Sequence, residues 1–459
     1  MQKTDIKDIL KKQREFFDSG KTKSYEFRKK QLANLRRMID DKDDLFYDAL
    51  MADLHKSKYE SYATEIGFTL SEISYAEKHL KKWMKPDKVR TPLLHFPAKS
   101  RIYYEPYGLS LIISPWNYPF QLALSPLIGA ISAGNCAILK PSEFSPATSE
   151  ALKDAIAEYF EPGFVTVVLG EVETSKALLA EIFDYIFFTG SPGVGKAVMT
   201  AAAKHLTPVT LELGGKSPVI VHEDAKLDIA AKKITWGKFL NAGQTCIAPD
   251  YALVHSSIKE QFIERLVKYI TQFYQPNIRE SSDYGRIITQ KHFGRLESLL
   301  DGGKIVYGGQ TDRSELFFEP TILTELDLKS KVMEEEIFGP IFPILEYDNI
   351  EEAMEFIESK SKPLSLYLFS ESKKIEKMVT GRLSFGGGCI NDVILHLATP
   401  HLPFGGVGRS GMGAYHGKES FLTFSHRKSI LHKGLWFDLP LKYPPNKMKN
   451  FKWLKKAFK

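Results

Sequence analysis

The chain has 459 residues, of which 43% are hydrophobic, 12% aromatic and 26% charged. This is the composition of a globular protein, so a disordered, collagen-like or fibrous chain is excluded, and the length predicts roughly two to four domains. The formal net charge of +6 is spread along the chain without a basic stripe, which argues against a nucleic-acid partner.

Only three cysteines occur, Cys136, Cys246 and Cys389. They are too few for a disulfide framework, which indicates a reducing compartment, and no Cys-x-x-Cys or clustered His/Cys spacing predicts a metal site. The N-terminal segment is densely charged and lacks the apolar region of a secretory signal. The charge-free stretch 106–139 is interrupted by prolines, so it predicts buried strands and a helix rather than a membrane span. We therefore expect a cytoplasmic protein.

Amphipathic helices are predicted up to Trp83, because apolar residues recur at helical spacing among charged ones. The segment 85–105 is rich in proline at its start and is predicted to form a bridging strand. From Leu109 short apolar strands alternate with helices, which predicts a parallel, doubly wound sheet. The alternation resumes after Gly215 and continues to about Gly388. The predicted fold class is therefore α/β, with two α/β domains.

The predicted divisions are a first domain with the N-terminal helices over 1–210, a second α/β domain over 211–388, and a third part over 389–459. The third part contains a return segment, an oligomerisation strand and a basic tail. Open parallel sheets bind ligands beyond the carboxyl ends of their strands. The loops after Ser114, Lys140, Gly170, Gly190 and Gly214 are therefore candidate ligand sites.

The segment YIFFTGSPGVGKAV contains a predicted strand, YIFFTG, and the start of a helix predicted from Val194 to Leu206. Gly190 to Lys196 matches the outline of a phosphate-binding P-loop, but Ala197 stands where a Ser or Thr is required, and no Walker B acid is evident. An NTPase is therefore disfavoured, whereas glycines at a helix N-terminus still suit an anion such as the pyrophosphate of a dinucleotide. A tight turn without a ligand explains these glycines equally well.

Three residues are candidates for chemistry. Cys246 lies in NAGQTCIAP, a loop of small and polar residues, whereas Cys136 and Cys389 lie in runs that predict buried strands. A loop gives the access that a nucleophilic thiol needs, although the sequence places no histidine beside it. Glu212 interrupts the apolar strand VTLELGG, so its carboxyl is either paired or kept for proton transfer. Asn117, between two prolines, suits either an oxyanion donor or the cap of the next helix.

Seven segments occur along the chain in the order PWNYP, LKPSE, FTGSPGVGK, LELGGKSP, GQTC, EEEIFGP and PFGGVGRSGMG. Together they resemble the NAD(P)-dependent aldehyde dehydrogenase superfamily over nearly the whole chain. GQTCIAPDY and the region from LPFGGVGRSGMG to SHRKS resemble its class 3 branch, which includes fatty and aromatic aldehyde dehydrogenases. The resemblance implies that 1–210 contains the dinucleotide-binding domain and that 211–388 is the catalytic domain.

The resemblance also implies residue roles. Cys246 would attack the aldehyde to give a thiohemiacetal, and hydride would pass to the nicotinamide and leave a thioester. Glu212 matches the base that activates water for hydrolysis, and Asn117 with the backbone amide of Cys246 matches the oxyanion hole. The implied cofactor is NAD, with NADP also accepted. The implied cofactor contacts are Ser114, Trp116, Lys140, Glu143, Gly190, Ser191, Gly193, Val194, Gly195, Glu336 and Phe338.

By the same resemblance, Tyr118, Trp236 and Leu240 would flank the substrate entrance, and the enzyme would be a homodimer. An aromatic and aliphatic entrance favours a medium- or long-chain aliphatic or aromatic aldehyde. Three alternatives stay open. The enzyme could acylate coenzyme A or act on a specialised aldehyde, the chain could be a catalytically silent scaffold, or it could be a P-loop nucleotide-binding protein.

The C-terminal segment KYPPNKMKNFKWLKKAFK contains six lysines and no acid from Lys447 onward. Its apolar residues are mostly spaced by three or four, so a helix here would be amphipathic and could lie in a membrane interface. The alternative, which we favour, is that the tail packs on its own subunit or on a dimer partner, since about a dozen residues is marginal for an isolated helix.

Overall fold

The structure is a computed structural model, and it describes residues 3–274, 277–438, 443–445, 448, 451 and 455. Helices and strands alternate over most of this length. The helices are α1 (Lys3–Asp18), α2 (Tyr25–Asp41), α3 (Asp43–Leu54), α4 (Lys58–Ser61), α5 (Gly67–Trp83), α6 (Gln121–Ala133), α7 (Pro146–Tyr159), α8 (Val172–Leu179), α9 (Pro192–Ala203), α10 (Leu227–Phe239), α11 (Lys259–Phe273), α12 (Gln290–Glu297), α13 (Lys331–Glu334), α14 (Ile350–Glu358), α15 (Lys373–Arg382) and α16 (Gly417–Thr423).

The strands form three larger sheets and one two-stranded ribbon. They are β1 (Asp87–Val89), β2 (Ala98–Pro106), β3 (Leu109–Ile113), β4 (Cys136–Lys140), β5 (Val165–Val167), β6 (Tyr185–Gly190), β7 (Val209–Leu213), β8 (Pro218–Val221), β9 (Tyr251–His255), β10 (Lys304–Tyr307), β11 (Thr311–Asp312), β12 (Phe317–Phe318), β13 (Thr321–Thr324), β14 (Ile341–Tyr347), β15 (Ser365–Phe369), β16 (Gly387–Ile390), β17 (Gly411–Met412) and β18 (Ser425–Lys433).

The N-terminal helices form because apolar residues recur on one face. In α2, for example, Leu32, Leu35 and Ile39 are fully buried, whereas the charged residues between them are mostly exposed. The helix begins after Ser24, whose hydroxyl accepts a hydrogen bond from the Phe27 amide at 3.2 Å. α1 contacts β3 and β4 of the first sheet, whereas α2, α3 and α5 pack on α6 and α7, which follow strands of that sheet.

The first sheet has the strand order β17-β7-β6-β3-β4-β5. Its neighbours are parallel except for β17, which runs antiparallel to β7. The chain runs from β3 outward through β4 to β5 and then crosses to β6 and β7 on the other side. The carboxyl ends of β3 and β6 therefore form a topological switch point, which is where open sheets of this kind bind ligands.

The second sheet has the order β10-β13-β14-β9-β8-β15-β16, with only β10 antiparallel to its neighbour among the described strands. The predicted α/β class with two parallel-sheet units is confirmed. The predicted divisions after residues 210 and 388 fall inside β7 and β16, so each change of sheet lies a few residues later along the chain.

A third sheet joins β1, β2 and β18 in antiparallel order. β2 and β18 pair along nine residues, from Ser425 opposite Pro106 to Lys433 opposite Ala98. β18 is an edge strand of this sheet, and most of its side chains are exposed. The predicted bridging segment 85–105 thus contains β1 and most of β2.

Two of the cysteines were predicted to be buried core residues, and one of these predictions is wrong. Cys136 in β4 is fully buried. Cys389 is only half-buried, because β16 is an edge strand, and its Sγ lies 3.6 Å from Nδ1 of His396. The predicted tail helix falls outside the described residues except at single positions. In the part of the chain that is described, no helix is both long and apolar enough to cross a bilayer.

Candidate active site

The chain approaches Cys246 through a turn held in an unusual conformation. Asn241 and Ala242 have φ angles of 53° and 50°, in the left-handed region that residues with a side chain seldom adopt. The backbone N–H of Asn241 donates to Glu60 Oε1 at 3.0 Å, and Asn241 Nδ2 donates to the carbonyl oxygen of Asn117 at 2.8 Å. These contacts hold the turn and so fix the position of the thiol.

Cys246 lies between two cavities and lines both. The first, the apolar cavity, has a free volume of about 170 Å³, and its lining includes Phe68, Tyr118, Leu122, Trp236, Leu240, Thr245, Ile247, Ile394, Phe404 and Tyr415. The second, the charged cavity, has a free volume of about 240 Å³, and its lining includes Trp116, Asn117, Leu122, Thr189, Gly190, Ser191, Glu212, Gly214, His292, Arg295, Glu336 and Phe338. Two molecules, one bound in each cavity, would therefore both contact the Cys246 sulfur.

The thiol of Cys246 is held in its protonated form. Burial raises its pKa to about 12, and the charges of Glu336 and Glu212 act in the same direction. The backbone amides of Cys246 and Ile247 act in the opposite direction by donating hydrogen bonds to the sulfur. Because the thiolate is the nucleophile, attack requires that a nearby base take the proton.

Glu212 lies in β7, between β6 and β17, opposite Thr189 on one side and Gly411 on the other. Its side chain is buried, and neither carboxyl oxygen has a hydrogen-bond partner among the described residues. Burial raises the pKa of Glu212 well above its usual value. Of the two alternatives for this carboxyl, the geometry favours a group kept free over one that is paired.

Asn117 follows β3 and is 2% exposed. Its Nδ2 donates to the carbonyl oxygen of Gln244 at 3.0 Å, two residues before Cys246. The side chain does not cap α6, because the backbone amides of Phe120 and Gln121 at the start of that helix donate to Glu65. The helix-capping alternative for Asn117 is therefore not what the structure shows.

Glu336 reaches the charged cavity from the second sheet. Its carboxyl lies so close to Gly214 that a Cβ there would be 1.9 Å from Glu336 Oε2, so a side chain at this position would require the Glu336 carboxyl to move. Burial raises the pKa of Glu336 to about 8, and Oε1 has no hydrogen-bond partner among the described residues. Phe338, two residues on, packs edge-on against Trp116 with ring centroids 5.3 Å apart.

Lys140, the last residue of β4, forms an ion pair of 3.0 Å with Glu143, outside the lining of the charged cavity. Lys140 Nζ also donates to the carbonyl oxygen of Pro141 at 3.0 Å. The lysine side chain is buried, whereas that of Glu143 is 26% exposed. Ser114 adjoins this pair, because its backbone amide donates to the Lys140 carbonyl at 3.1 Å.

The glycine-rich turn is shorter than the sequence suggests. α9 begins at Pro192, two residues earlier than predicted, so Gly193, Val194 and Gly195 lie in its first turn. Ser191 is the N-cap and accepts a hydrogen bond from the Val194 amide at 3.5 Å. A Cβ at Gly193 would meet nothing within 4 Å, so the N-terminus of the helix is open to a ligand at this point.

Several polar atoms in this region are buried and have no partner within the described chain: Ser114 Oγ, Thr189 Oγ1, Glu336 Oε1 and both oxygens of Glu212. Buried polar groups are normally hydrogen-bonded, and unpaired ones call for a ligand or water. An exposed helix N-terminus beside them suits a pyrophosphate. The residues present therefore fit a dinucleotide.

The predicted substrate residues Tyr118, Trp236 and Leu240 all line the apolar cavity together with Cys246. The Tyr118 hydroxyl is hydrogen-bonded to Thr245 Oγ1 at 2.6 Å, so the ring presents its carbon atoms to the cavity. Trp236 is 38% exposed, whereas Tyr118 is buried. The lining offers few polar groups to a substrate tail.

Comparisons with known proteins agree with this arrangement. The aldehyde dehydrogenase family model matches residues 1–430. The 4,4'-diaponeurosporen-aldehyde dehydrogenase of Staphylococcus aureus (strain NCTC 8325 / PS 47) is 52% identical over 446 residues, 97% of either chain. The solved substrate-bound state of Staphylococcus aureus AldH has a TM-score of 0.97 at 51% identity, covering 99% of both chains.

The chain belongs to the aldehyde dehydrogenase family. Two relatives from Rattus norvegicus support the class 3 resemblance. The dimeric NADP-preferring aldehyde dehydrogenase is 48% identical over 97% of this chain and 99% of its own, and aldehyde dehydrogenase family 3 member A2 is 48% identical over 96% and 92%. The protein is therefore an NAD(P)-dependent enzyme that oxidises an aldehyde to the carboxylic acid, and the scaffold and P-loop alternatives are set aside.

Three polar residues of the charged cavity of this aldehyde dehydrogenase were not predicted. Thr189 lies inside the segment YIFFTGSPGVGKAV, directly before Gly190, so the sequence offered a signal for it. His292 and Arg295 lie on one face of α12, and their spacing of three is the only sequence signal. The His292 ring packs against Trp116 with centroids 4.8 Å apart, and burial lowers the pKa of His292 to about 4, so the ring is neutral.

Proposed function

We propose that Cys246 is the nucleophile of this dehydrogenase. The observation that carries the proposal is that the thiol lines both the apolar cavity and the charged cavity, which contains the unpaired carboxyl of Glu212. The sulfur adds to the carbonyl carbon of an aldehyde held in the apolar cavity. A carbon–sulfur bond forms, the thiol proton passes to a base, and the carbonyl oxygen becomes an oxyanion.

Asn117 and the backbone amide of Cys246 stabilise that oxyanion. The Asn117 amide group has two N–H bonds, and one of them is used by the Gln244 carbonyl, which orients the group beside the cysteine loop. A fixed donor at the position where charge develops lowers the barrier without reorganising during the reaction. When bound, NAD(P)⁺ supplies the hydride acceptor that turns the adduct on Cys246 into a thioester.

Glu212 acts as the base in the second half of the reaction. Its raised pKa makes the carboxylate a stronger base than an exposed glutamate, and its oxygens are free to accept a proton from water. The activated water attacks the thioester, the carbon–sulfur bond breaks, and the carboxylic acid leaves with the thiol restored. Hydrolysis is proposed rather than transfer to coenzyme A.

Residues of both sheets would hold the cofactor. Gly190, Ser191, Gly193, Val194 and Gly195 would place the helix N-terminus against the pyrophosphate. The adenosine ribose would be contacted from the loop after β4, and the nicotinamide riboside from the second sheet. The remaining residues proposed for these contacts are Ser114, Trp116, Lys140, Glu143, Glu336 and Phe338.

We propose that NAD is preferred and NADP is also accepted. The Lys140 ammonium is already paired with Glu143 at 3.0 Å, which leaves no net positive charge in this pair for a 2′-phosphate. The carboxylate would instead accept a hydrogen bond from a ribose hydroxyl. The relative from Rattus norvegicus is described as NADP-preferring, so a direct comparison of the two cofactors is required.

The proposed substrate is a medium- or long-chain aliphatic or aromatic aldehyde, because the cavity next to Cys246 is lined mainly by carbon atoms. A panel of aldehydes of rising chain length, followed by NADH absorbance, tests this. We expect kcat/KM to rise with chain length, and a preference for short polar aldehydes would contradict the proposal. Adding coenzyme A should leave the rate unchanged and should yield free acid, whereas an acyl-coenzyme A product would favour the acyl-transfer alternative.

We also propose a cytoplasmic homodimer. β18 exposes Ile430 and Leu431 on an edge strand, which is a surface that another chain can cover. The relative from Rattus norvegicus carries the word dimeric in its name. The basic tail is proposed to pack on its own subunit or on the partner rather than on a membrane, and sedimentation with anionic liposomes would show no binding in that case.

A further inference from the structure

Three charged side chains are buried beneath the catalytic loops and have no role in the proposed chemistry. Lys56, Glu60 and Glu65 lie between α3 and α5, and each is at most 8% exposed. The segment is irregular, because residues 62–66 form a π-helical turn between α4 and α5. Burying charged groups costs free energy unless they are paired and hydrogen-bonded, so their contacts are informative.

Lys56 contacts the oxyanion loop directly. Its Nζ donates to Glu65 Oε1 at 2.5 Å and to the backbone carbonyl of Asn117 at 3.0 Å. The same ammonium lies 4.0 Å from the ring centroid of Tyr118, which lines the apolar cavity. One cation therefore touches both the residue proposed to bind the oxyanion and its neighbour that shapes the substrate cavity.

Glu65 holds the other end of the same loop. Its Oε2 accepts hydrogen bonds from the backbone amides of Phe120 at 3.0 Å and of Gln121 at 3.2 Å. These amides open α6 and would otherwise lack partners. The ion pair thus bonds the loop at residue 117 and at residues 120 and 121, and the bonded atoms all belong to the backbone.

We propose that the Lys56–Glu65 ion pair is a positioning device that sets the orientation of the Asn117 amide for oxyanion binding. Within the described chain neither member of the pair lines the apolar or the charged cavity, so both act through the loop rather than on the substrate. The inference rests on the proposed role of Asn117. A capping group alone would explain the bonds to Phe120 and Gln121 but not the bond from Lys56 to the Asn117 carbonyl.

The test is a double-mutant cycle between the ion pair and Asn117. Lys56→Met/Glu65→Gln removes both charges of the pair together, so neither partner is left as an unpaired charge. Glu60, whose carboxylate the Lys56 charge also favours, keeps its hydrogen bond from the Asn241 amide. We expect this variant to lower the single-turnover rate of NADH formation by about 10- to 100-fold, as a small misplacement of a catalytic group does, with little change in the KM for NAD. Lys58→Met is the matched control, because Lys58 lies in the same segment but forms a surface ion pair with Asp44 and is 67% exposed.

The decisive readout is the same comparison in an Asn117→Ala background. If the pair acts through the Asn117 amide, adding Lys56→Met/Glu65→Gln to Asn117→Ala should cost less than threefold. Full multiplication of the two effects would show that the pair only stabilises the fold and would overturn the proposal. Asn117→Ala on its own tests the oxyanion role, so a failure of that role is distinguished from a failure of the ion pair.

A second variant covers the case in which the double substitution prevents folding. Glu65→Asp keeps both charges but is one methylene shorter, so it cannot reach the Lys56 ammonium and the α6 amides together in the present geometry. We expect a folded enzyme with a reduced acylation rate that is again insensitive to this change in the Asn117→Ala background. An unchanged rate in Glu65→Asp, or an equal loss in both backgrounds, would overturn the proposal.

Discussion

At the scale of single residues, the site places groups where burial opposes their charged forms. Burial raises the pKa of Cys246 to about 12 and that of Glu336 to about 8, and it raises that of Glu212 further above its usual value. The thiol and the two carboxyls are therefore stable in their protonated, neutral forms, and their deprotonated forms are the reactive ones. The site therefore holds strong proton acceptors in a region that a bound cofactor would close to water.

Cys246→Ser is expected to lower kcat by at least about 10³-fold, because a serine hydroxyl is a far weaker nucleophile than a thiol. Steady-state NADH formation measures the loss, and cofactor titration shows that the fold is retained. Cys136→Ser is the matched control: Cys136 is fully buried, burial also raises its pKa to about 12, and it lines neither cavity within the described chain. Near-normal turnover by Cys246→Ser would contradict the assignment.

Glu212→Gln is expected to stabilise the fold, and more so at about pH 8 than at about pH 5. Below the unfolded-state pKa the carboxyl is protonated in both states, so the substitution matters little. Above the unfolded-state pKa, the carboxyl ionises in the unfolded chain but stays protonated in the native state, because burial raises its pKa there. The free energy of unfolding of the wild-type protein therefore falls by up to about 1.4 kcal/mol per pH unit until the folded-state pKa is reached. Glutamine does not titrate.

Calorimetric melting temperatures of both proteins across this pH range check the sign. A difference in melting temperature that grows with pH supports a free, buried carboxyl at Glu212. A difference that stays constant, or one in which the wild-type protein is more stable at high pH, would show that the carboxylate has a stabilising partner.

At the scale of elements, loops that follow parallel strands carry most of the site, and their positions follow from sheet topology. The loop after β3 carries Asn117, and the loop after β6 carries Gly190 and Ser191, and these two strands are neighbours at the switch point. The loop after β4 lies one strand further out. Its Lys140–Glu143 pair is therefore placed for a part of the cofactor remote from the thiol.

Glu143→Gln is expected to improve NADP relative to NAD by several-fold. The substitution removes a negative charge that would repel a 2′-phosphate and releases the Lys140 ammonium from its 3.0 Å ion pair. Fluorescence titration of both cofactors against the wild type and the variant gives the ratio. Glu150→Gln is a control, because Glu150 pairs with Lys153 on the exposed side of α7. An unchanged ratio in Glu143→Gln would show that this carboxyl does not face the ribose.

The parallel strands β3 to β7 of the first sheet could be predicted from the sequence, because short apolar runs bounded by glycine and proline leave few alternatives. β6, for example, has the predicted bounds. α9 starts earlier than predicted because Pro192 is favoured at the first helical position after a serine cap. The position of β16 at the edge of the second sheet could not be predicted, so Cys389 was wrongly expected in the core.

The charged residues beneath the site could not be found in the sequence. In the sequence, Lys56 and Glu65 look like the solvent-exposed charged residues of a helical region. Their burial depends on contacts with residues 117–121, which are more than fifty positions away along the chain. His292 and Arg295 enter the site only because α12 packs beside Trp116 and Glu336. A local sequence pattern does not predict contacts between residues that are so far apart along the chain.

At the scale of the whole molecule, the three-stranded sheet leaves β18 with one unpaired edge among the described strands. Leu431→Asp is expected to shift the protein from dimer to monomer, because Leu431 is 51% exposed on that strand and a charge would be buried at an interface. Sedimentation velocity measures the change. Leu328→Asp is the control, since Leu328 is 47% exposed but lies outside the strand. A dimer that persists in Leu431→Asp would exclude this face.

The central claim is that one thiol, Cys246, carries the substrate between two half-reactions and that Glu212 completes the second. Mass spectrometry of Glu212→Gln after mixing with a long-chain aldehyde and NAD⁺ tests it directly. We predict one equivalent of NADH formed in a burst and a mass increase equal to the acyl group on the peptide that contains Cys246. An unmodified Cys246 peptide, or an acyl group on the peptide of Cys136 or Cys389, would contradict the account.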